Sequence, residues 1–288
     1  MYIKSPFNYI GNKYQIIGQL LHLFPNNIDT FYDYFCGGCD VSTNIKAKNI
    51  IAIDANTYVT DILNEFKNKS LDEILAFMEK RIQEFNLTKE NKDGFLNYRD
   101  AYNNDPKYHT PLDLFTLSRY SFHFTMRFTQ DLKMNSGFGY RFSNFSTRQR
   151  RNIVPFHEKI QNVKIINDDF RNINPIISNN NFYYFDPPYL IANNVYNHGA
   201  SQVNQKWDEN DEYDLLTYIK NIDIAGGKFA LSNILYHRGK VNELLKKWID
   251  KNNFNIYHIT NEGYSHCTHT VNQSNEPTME IVVTNYEV

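Results

Sequence analysis

Cysteine is scarce, three residues in 288, so disulfides are not what holds the chain together, and at 34.1 kDa it does not need them. The small number fits a reducing compartment. Twelve glycines and nine prolines are too few for a collagen-like or linker-like chain. No apolar run approaches the roughly 18 residues that cross a bilayer. The opening Met1-Tyr2-Ile3-Lys4-Ser5-Pro6 lacks a secretory apolar segment, so a soluble intracellular protein without a membrane partner is expected. Charge of one sign is lacking too: 30 basic and 32 acidic residues leave a net −2, which taken alone argues against a polyanionic partner.

The balance hides a block. Residues 119–151 hold Arg119, Arg127, Lys133, Arg141, Arg148, Arg150 and Arg151 against Asp131 alone, a net +6 that leaves −8 for the remainder. A basic segment on an acidic body can bind nucleic acid, because only the face presented to phosphates matters. Hydrophobic residues at 41% and aromatics at 15% suffice for one large folded unit.

Thr30-Phe31-Tyr32-Asp33-Tyr34-Phe35 reads as a strand entering the tight turn Cys36-Gly37-Gly38-Cys39. A short helical stretch from about Val41 follows, then the strand Ile50-Ile51-Ala52-Ile53 closed by Asp54. This is the opening of a Rossmann-like nucleotide-binding unit. From Ser70 the pattern turns helical. Ser70 and Glu73 form a capping box, and Leu71, Ile74, Leu75, Met78, Ile82 and Phe85 share a face. Further helices are predicted over about 93–103 and 111–124. Strands return at Val163-Lys164-Ile165-Ile166, Phe182-Tyr183-Tyr184-Phe185, Lys228-Phe229-Ala230-Leu231 and near Ile281-Val282-Val283, with helices starting near Asp208 and Lys240. The predicted fold is α/β: a Rossmann-like domain of residues 1–63 and 158–288, interrupted by an inserted module at 64–157.

The most specific motif is Asp186-Pro187-Pro188-Tyr189 at the end of a predicted strand, where open α/β sheets bind ligands. The prolines hold the backbone extended and offer no N–H. The Asp186 carboxylate, the Pro187 carbonyl and the Tyr189 ring suit a planar amino-heterocycle. Two acceptors for the hydrogens of an exocyclic amine stabilise the transition state more than the ground state as the nitrogen turns tetrahedral. Gly37 and Gly38, with Asp54 placed for ribose hydroxyls, suggest a nucleoside-bearing cofactor, and no Walker A spacing accompanies them. Cys36 and Cys39 could join His266, Cys267 and His269 in a zinc site, but zinc would crowd the glycine turn, and no metal is expected.

These residues resemble the Dam-type DNA adenine-N6 methyltransferases, and within them the T-even phage Dam enzymes. The likeness covers Tyr9-Ile10-Gly11-Asn12-Lys13, Asp33-Tyr34-Phe35-Cys36-Gly37-Gly38, Asp54, Asp169-Phe170, Asp186-Pro187-Pro188-Tyr189-Leu190-Ile191 and Lys228-Phe229-Ala230-Leu231-Ser232-Asn233. It implies a Rossmann-like domain using S-adenosylmethionine, with a helical plus β-hairpin target-recognition insert. Tyr9 and Lys13 match the N-terminal cofactor motif; Asp33, Phe35, Gly37 and Gly38 the methionine-side loop; Asp54 the ribose acid; Asp169 and Phe170 the adenine pocket. Cys39 and Asp40 stand where some members have Gly-Ser and are expected to act through their backbone. The implied reaction is direct methyl transfer to an adenine flipped out of duplex DNA.

In that family an Arg-x-Asn…Pro-Phe-Gly-x-Arg hairpin reads GATC. Here Arg127-Phe128-Thr129 and Gly137-Phe138-Gly139-Tyr140-Arg141 keep both arginines, while Thr129 and Gly137 replace the asparagine and proline, so GATC does not carry over unchanged. Met126, Arg127, Thr129, Asn135, Gly137, Phe138 and Arg141 are the expected DNA contacts. Arg148, Arg150 and Arg151 are expected on phosphate, and Met126 or Phe128 as a wedge or as core. The polar stretch Asn193 to Gln205 is expected to order over bound DNA. The resemblance further implies a monomer or weak dimer in the cytoplasm of a bacterial or phage-infected cell, with a companion restriction endonuclease as a partner. Rival readings are transfer to cytosine N4 and a DNA-binding regulator that keeps the fold without the activity.

Overall fold

A computed structural model describes residues 2–7, 11–140, 144–192, 207–259 and 278–288. Tyr9, Arg141, the stretch Asn193 to Gln205, and His266, Cys267 and His269 lie outside the described residues. In chain order the elements are α1 (Ile17–His22), β1 (Ile28–Tyr34), β2 (Ala47–Asp54), α2 (Thr57–Asn68), α3 (Leu71–Glu84), α4 (Lys92–Asn104), α5 (Pro111–Tyr120) and α6 (Thr147–Ile160). They continue with β3 (Val163–Asn167), β4 (Phe182–Phe185), α7 (Glu209–Ile224), β5 (Lys228–His237), β6 (Lys240–Val241), α8 (Glu243–Asn252), β7 (Asn255–His258) and β8 (Thr278–Thr284).

The strands form one sheet in the order β3-β2-β1-β4-β5-β8-β7, with the short β6 paired to β5. β3, β2, β1, β4 and β5 run parallel, and β8 is antiparallel between β5 and β7. The chain winds outward from β1 through β2 to β3, then returns to start the other half at β4. The winding therefore reverses between β1 and β4, and a crevice opens there at the carboxyl ends. Tyr34 pairs with Ile53 on one side and Phe185 on the other, so the ends of β1, β2 and β4 lie level. This is the α/β, Rossmann-like class that the strand pattern predicts.

The central strands are apolar on both faces because both are covered. Tyr32, Tyr34, Tyr183 and Phe185 pack beneath α7 and α8 with Leu215, Ile219, Leu245 and Ile249. Phe31, Phe182 and Tyr184 point the other way, onto Ile16, Leu20 and Phe24 around α1. Phe7, Ala52 and Val163 share a core with Phe66, Phe115 and Phe156 of the helical region. The predicted boundaries at 63/64 and 157/158 fall within α2 and α6, whose apolar faces belong to that core. Insert and sheet are thus packed together, not strung on linkers.

Two local expectations are corrected. The stretch after Val41 is a hydrogen-bonded turn, not a helix: Thr43 Oγ1 bonds the Cys39 carbonyl and Asn44 reaches back to the Asp40 and Ile3 carbonyls. α5 stops at Tyr120, where Ser121 bonds the Ser118 and Thr125 carbonyls and His123 and Phe124 take positive φ of 53° and 58°. The Ser70–Glu73 capping box of α3 forms as predicted.

Candidate active site

At the end of β1 the chain turns through Phe35, Gly37 and Cys39, with φ of 63°, 48° and 61°. Left-handed backbone at Phe35 and Cys39 costs on the order of 1–3 kcal/mol each and marks a constrained loop. β2 supplies the constraint. The Cys36 N–H bonds the Ile53 carbonyl, and the Asp54 carboxylate accepts the N–H groups of Gly37 and Asn56, both at 2.8 Å. Asp54 thus fastens the glycine turn as well as standing where a ribose acid is expected.

Acids crowd this crevice. Asp33 accepts a 2.5 Å bond from Ser42 Oγ, and Asp40 accepts the Ser5 N–H at 2.9 Å. Burial pushes both carboxyls up to about 7; the Ser42 bond and the Ser5 N–H pull the other way, and Asp186 and Asp54 add to the rise at Asp33. Asp54 is raised by burial as well. The Cys36 thiol is raised because it donates to Cys39 and is buried. Cys39 gains from that bond, but burial beside Asp33 and Asp54 outweighs it. Both thiols are therefore less readily ionised than a free cysteine, which makes them poor nucleophiles.

Asp186 leaves the end of β4 against Lys13, whose Nζ is 2.7 Å from Asp186 Oδ1, 2.8 Å from the Tyr189 hydroxyl and 3.1 Å from the Gly11 carbonyl. The Tyr189 hydroxyl lies 3.0 Å from Asp186 Oδ1. Tyr189 itself is 2% exposed and packs on Ala192 and Ile234, so its ring is not open for a base to stack on in this conformation. Among the described residues nothing donates to Asp186 Oδ2 or to the Pro187 carbonyl. Pro188 follows with no N–H to donate.

Phe35 meets Phe170 and Trp207 with ring centroids 5.6 Å away in each case. Trp207 is fixed by a 2.8 Å bond from Nε1 to Glu212, a fully buried acid that also accepts from Asn233 and Asn242. Asp169 is paired with Arg171, which also holds Asp211 and Asp214. Sequence reasoning found Phe35, Asp169 and Phe170 but missed Trp207, Glu212 and Glu280. The signal for Glu280 was a single acid leading the apolar run Ile281-Val282-Val283.

The insert carries a short hairpin. Phe128 and Met134 form an antiparallel bridge, Thr129 N–H bonds the Lys133 carbonyl and Asn135 N–H the Arg127 carbonyl. α4 braces it through Arg99 on the Ser136 carbonyl and Asn103 on Met134. Asn135 and Gly137 are exposed, and nothing lies within 4 Å of a Cβ built at Gly137. Arg127 is half-buried, and its Nε has no hydrogen-bond partner among the described residues. Phe138 and Arg150 depart from the DNA contacts expected of them, whereas Met126 and Phe128 take the core alternative. Phe138 is 6% exposed and packs on Phe95, so it is core; Phe128 stacks on Tyr58 at 4.2 Å; Met126 packs against the same core. Arg119 is buried beneath the Pro6 carbonyl, and Arg150 is paired with Glu79. Arg148 and Arg151 remain exposed.

A level crevice at the β1/β4 reversal, ringed by acids and aromatic side chains, belongs to nucleoside-cofactor α/β enzymes. A family profile described as D12 class N6 adenine-specific DNA methyltransferase matches residues 9–262. The chain belongs to that family. It is 40% identical over 288 residues to the type II methyltransferase M.FokI of Planomicrobium okeanokoites and 38% identical over 293 residues to the modification methylase StsI of Streptococcus sanguinis. Each alignment covers 99% of this chain and 43% of the relative, so the chain spans less than half the length of those proteins. The type II methyltransferase M.MjaIII of Methanocaldococcus jannaschii is 24% identical over 81% of this chain and 85% of its own length. Among the described residues no helix is long and apolar enough to cross a membrane, and no cluster of three or more His, Cys, Asp or Glu is arranged to hold a metal.

Proposed function

We propose that the protein transfers a methyl group from S-adenosylmethionine to the N6 amine of an adenine flipped out of duplex DNA. The observation that carries this reading is the pair of acceptors without a donor among the described residues, Asp186 Oδ2 and the Pro187 carbonyl, just past the end of β4, which lies level with the end of β1. Together they take the two amine hydrogens as the nitrogen becomes tetrahedral. The cofactor residues fit a cationic, ring-bearing molecule: Asp33, Asp40, Asp54 and Asp186 outnumber Lys13, and Phe35 and Trp207, half-buried around Phe170, offer apolar ring surface. When bound, S-adenosylmethionine supplies an already activated sulfonium methyl.

Asp186 and the Pro187 carbonyl would hold the amine in line with that methyl, and Asp186 would pass to solvent the amine proton released on transfer. Tyr189 borders the base pocket, its hydroxyl held by Lys13, Asp186 and Glu280. Arg127 and Asn135, on the braced hairpin, meet the groove, and Arg148 and Arg151 meet phosphate. The likeness to the T-even phage Dam enzymes supports a hairpin reader, with Thr129 and Gly137 shifting the site away from GATC. The modification-methylase relatives support a companion restriction endonuclease.

Methylation-sensitive long-read sequencing and nucleoside mass spectrometry of DNA from expressing cells test the reading. N6-methyladenine in one motif is expected, and methylcytosine alone overturns it. Asp186→Ala is expected to lose about a thousandfold in methyl transfer while still binding S-adenosylmethionine and DNA. Unchanged turnover refutes the role of Asp186.

A further inference from the structure

β8 brings Glu280 to the carboxyl end of the sheet opposite Ile234, 3% exposed. Its Oε1 lies 3.2 Å from the Tyr189 hydroxyl and 3.7 Å from Lys13 Nζ. The Tyr189 hydroxyl therefore stands between two carboxylates, Glu280 at 3.2 Å and Asp186 at 3.0 Å, with Lys13 Nζ at 2.8 Å. An ammonium only donates, so the phenolic oxygen accepts from Lys13, and among the described residues the acceptors in reach of its one proton are these two acids. If it goes to Asp186, that carboxylate accepts from Lys13 and Tyr189 at once. If it goes to Glu280, Asp186 accepts from Lys13 alone and keeps more of its charge for a substrate.

We propose that Glu280 is a positioning residue of the methyl-transfer site: it takes the Tyr189 proton, so that Asp186 accepts from Lys13 alone and keeps its remaining charge for the amine. This rests on the methyltransferase reading above. The same placement sets the charge on Asp186. Facing it are Lys13 from the N-terminal segment, Tyr189 from its own loop and Glu280 from β8, with Asp33 of β1 and Tyr184 of β4 behind. Burial first, and then the Glu280 charge, push the Asp186 carboxyl up to about 6 against the pull of Lys13 and the Tyr189 bond. The acceptor must be ionised, so turnover falls as pH drops through that value. Removing the Glu280 charge lowers the Asp186 midpoint and moves the acid limb of kcat to lower pH.

The test compares wild type, Glu280→Gln and Glu280→Asp on DNA from a methylation-deficient strain. Glu280→Gln is expected to lower plateau kcat about tenfold, leave KM for S-adenosylmethionine unchanged and shift the acid limb down; Glu280→Asp is expected to restore the limb. A fall in kcat with an unmoved limb means a merely structural role and overturns the proposal. Carbon-13 NMR of aspartate-labelled protein, with the Asp186 signal assigned by Asp186→Asn, reads the same midpoint without turnover. An Asp186 midpoint unchanged in Glu280→Gln overturns the proposal even if wild type proves inactive on DNA, an outcome that sinks the methyltransferase reading separately.

Discussion

Lys13 and Arg119 are both buried cations, 5% and 4% exposed, yet the two regions use them in opposite ways. Lys13, at the carboxyl ends of the sheet, faces Asp186 and Glu280, with Asp33, Asp40 and Asp54 nearby, so negative charge exceeds positive. Arg119, in the helical layer, has the Pro6 carbonyl, the Ser118 hydroxyl and the rings of Phe115 and Phe124 around it, with no carboxylate in ion-pair range among the described residues. Burial alone pushes its guanidinium down to about 9. The neighbouring Arg81 is closed off differently, bonded to Asp113 at 2.7 Å, and Asp113 also accepts from Tyr98 and Thr110 at 2.6 Å. Charge in the helical layer is consumed by packing, whereas charge at the sheet ends is left unbalanced for a ligand to complete.

That contrast can be broken by substitution. The largest effect is expected at Asp113→Ala, which strands Arg81 and should cost about 3–5 kcal/mol of stability by urea denaturation. Methyl transfer by the fraction still folded should be unchanged; a loss of turnover without a loss of stability would erase the division between regions. Arg127→Ala is expected next, weakening DNA binding at the preferred site by about 10–100-fold, equivalent to about 1–3 kcal/mol. Its effect on scrambled DNA should be smaller, and an equal loss on both would make Arg127 a phosphate contact. The smallest effects belong to Arg148→Ala and Arg151→Ala, each expected to reduce the slope of log affinity against log salt by about 1. Arg150→Ala should change that slope less, because Arg150 already spends its charge on Glu79.

The strands were legible because Val163–Ile166, Phe182–Phe185 and Lys228–Leu231 are short, apolar and bounded by polar residues, and the motifs at their ends landed at the crevice. β7, reading Asn255-Ile256-Tyr257-His258, was not legible: as an edge strand half-turned to solvent it lacks an apolar run. The end of α5 was hidden as well, since apolar residues continue to Phe124 and only the Ser121 bonds stop the helix. In the site, Asp186 and Asp54 announced themselves by motif. Glu280 and Trp207 did not, because their importance lies in what folds against them.

The +6 block of residues 119–151 shows the same limit. Its composition suggested a basic segment able to bind nucleic acid, yet Arg119 is core and Arg150 is an ion pair, leaving Arg127, Lys133, Arg148 and Arg151 among the described residues to meet a polyanion. Sequence alone determined the α/β alternation, the glycine turn and the Asp-Pro-Pro-Tyr acceptors, because these depend on local backbone preferences and side-chain chemistry. Only the tertiary structure decided which charges are free and which are paired, that the Tyr189 proton is contested between Asp186 and Glu280, and that Phe138 faces inward. Those outcomes are set by burial and by partners more than a hundred residues apart in places, neither of which is written in the chain around each residue.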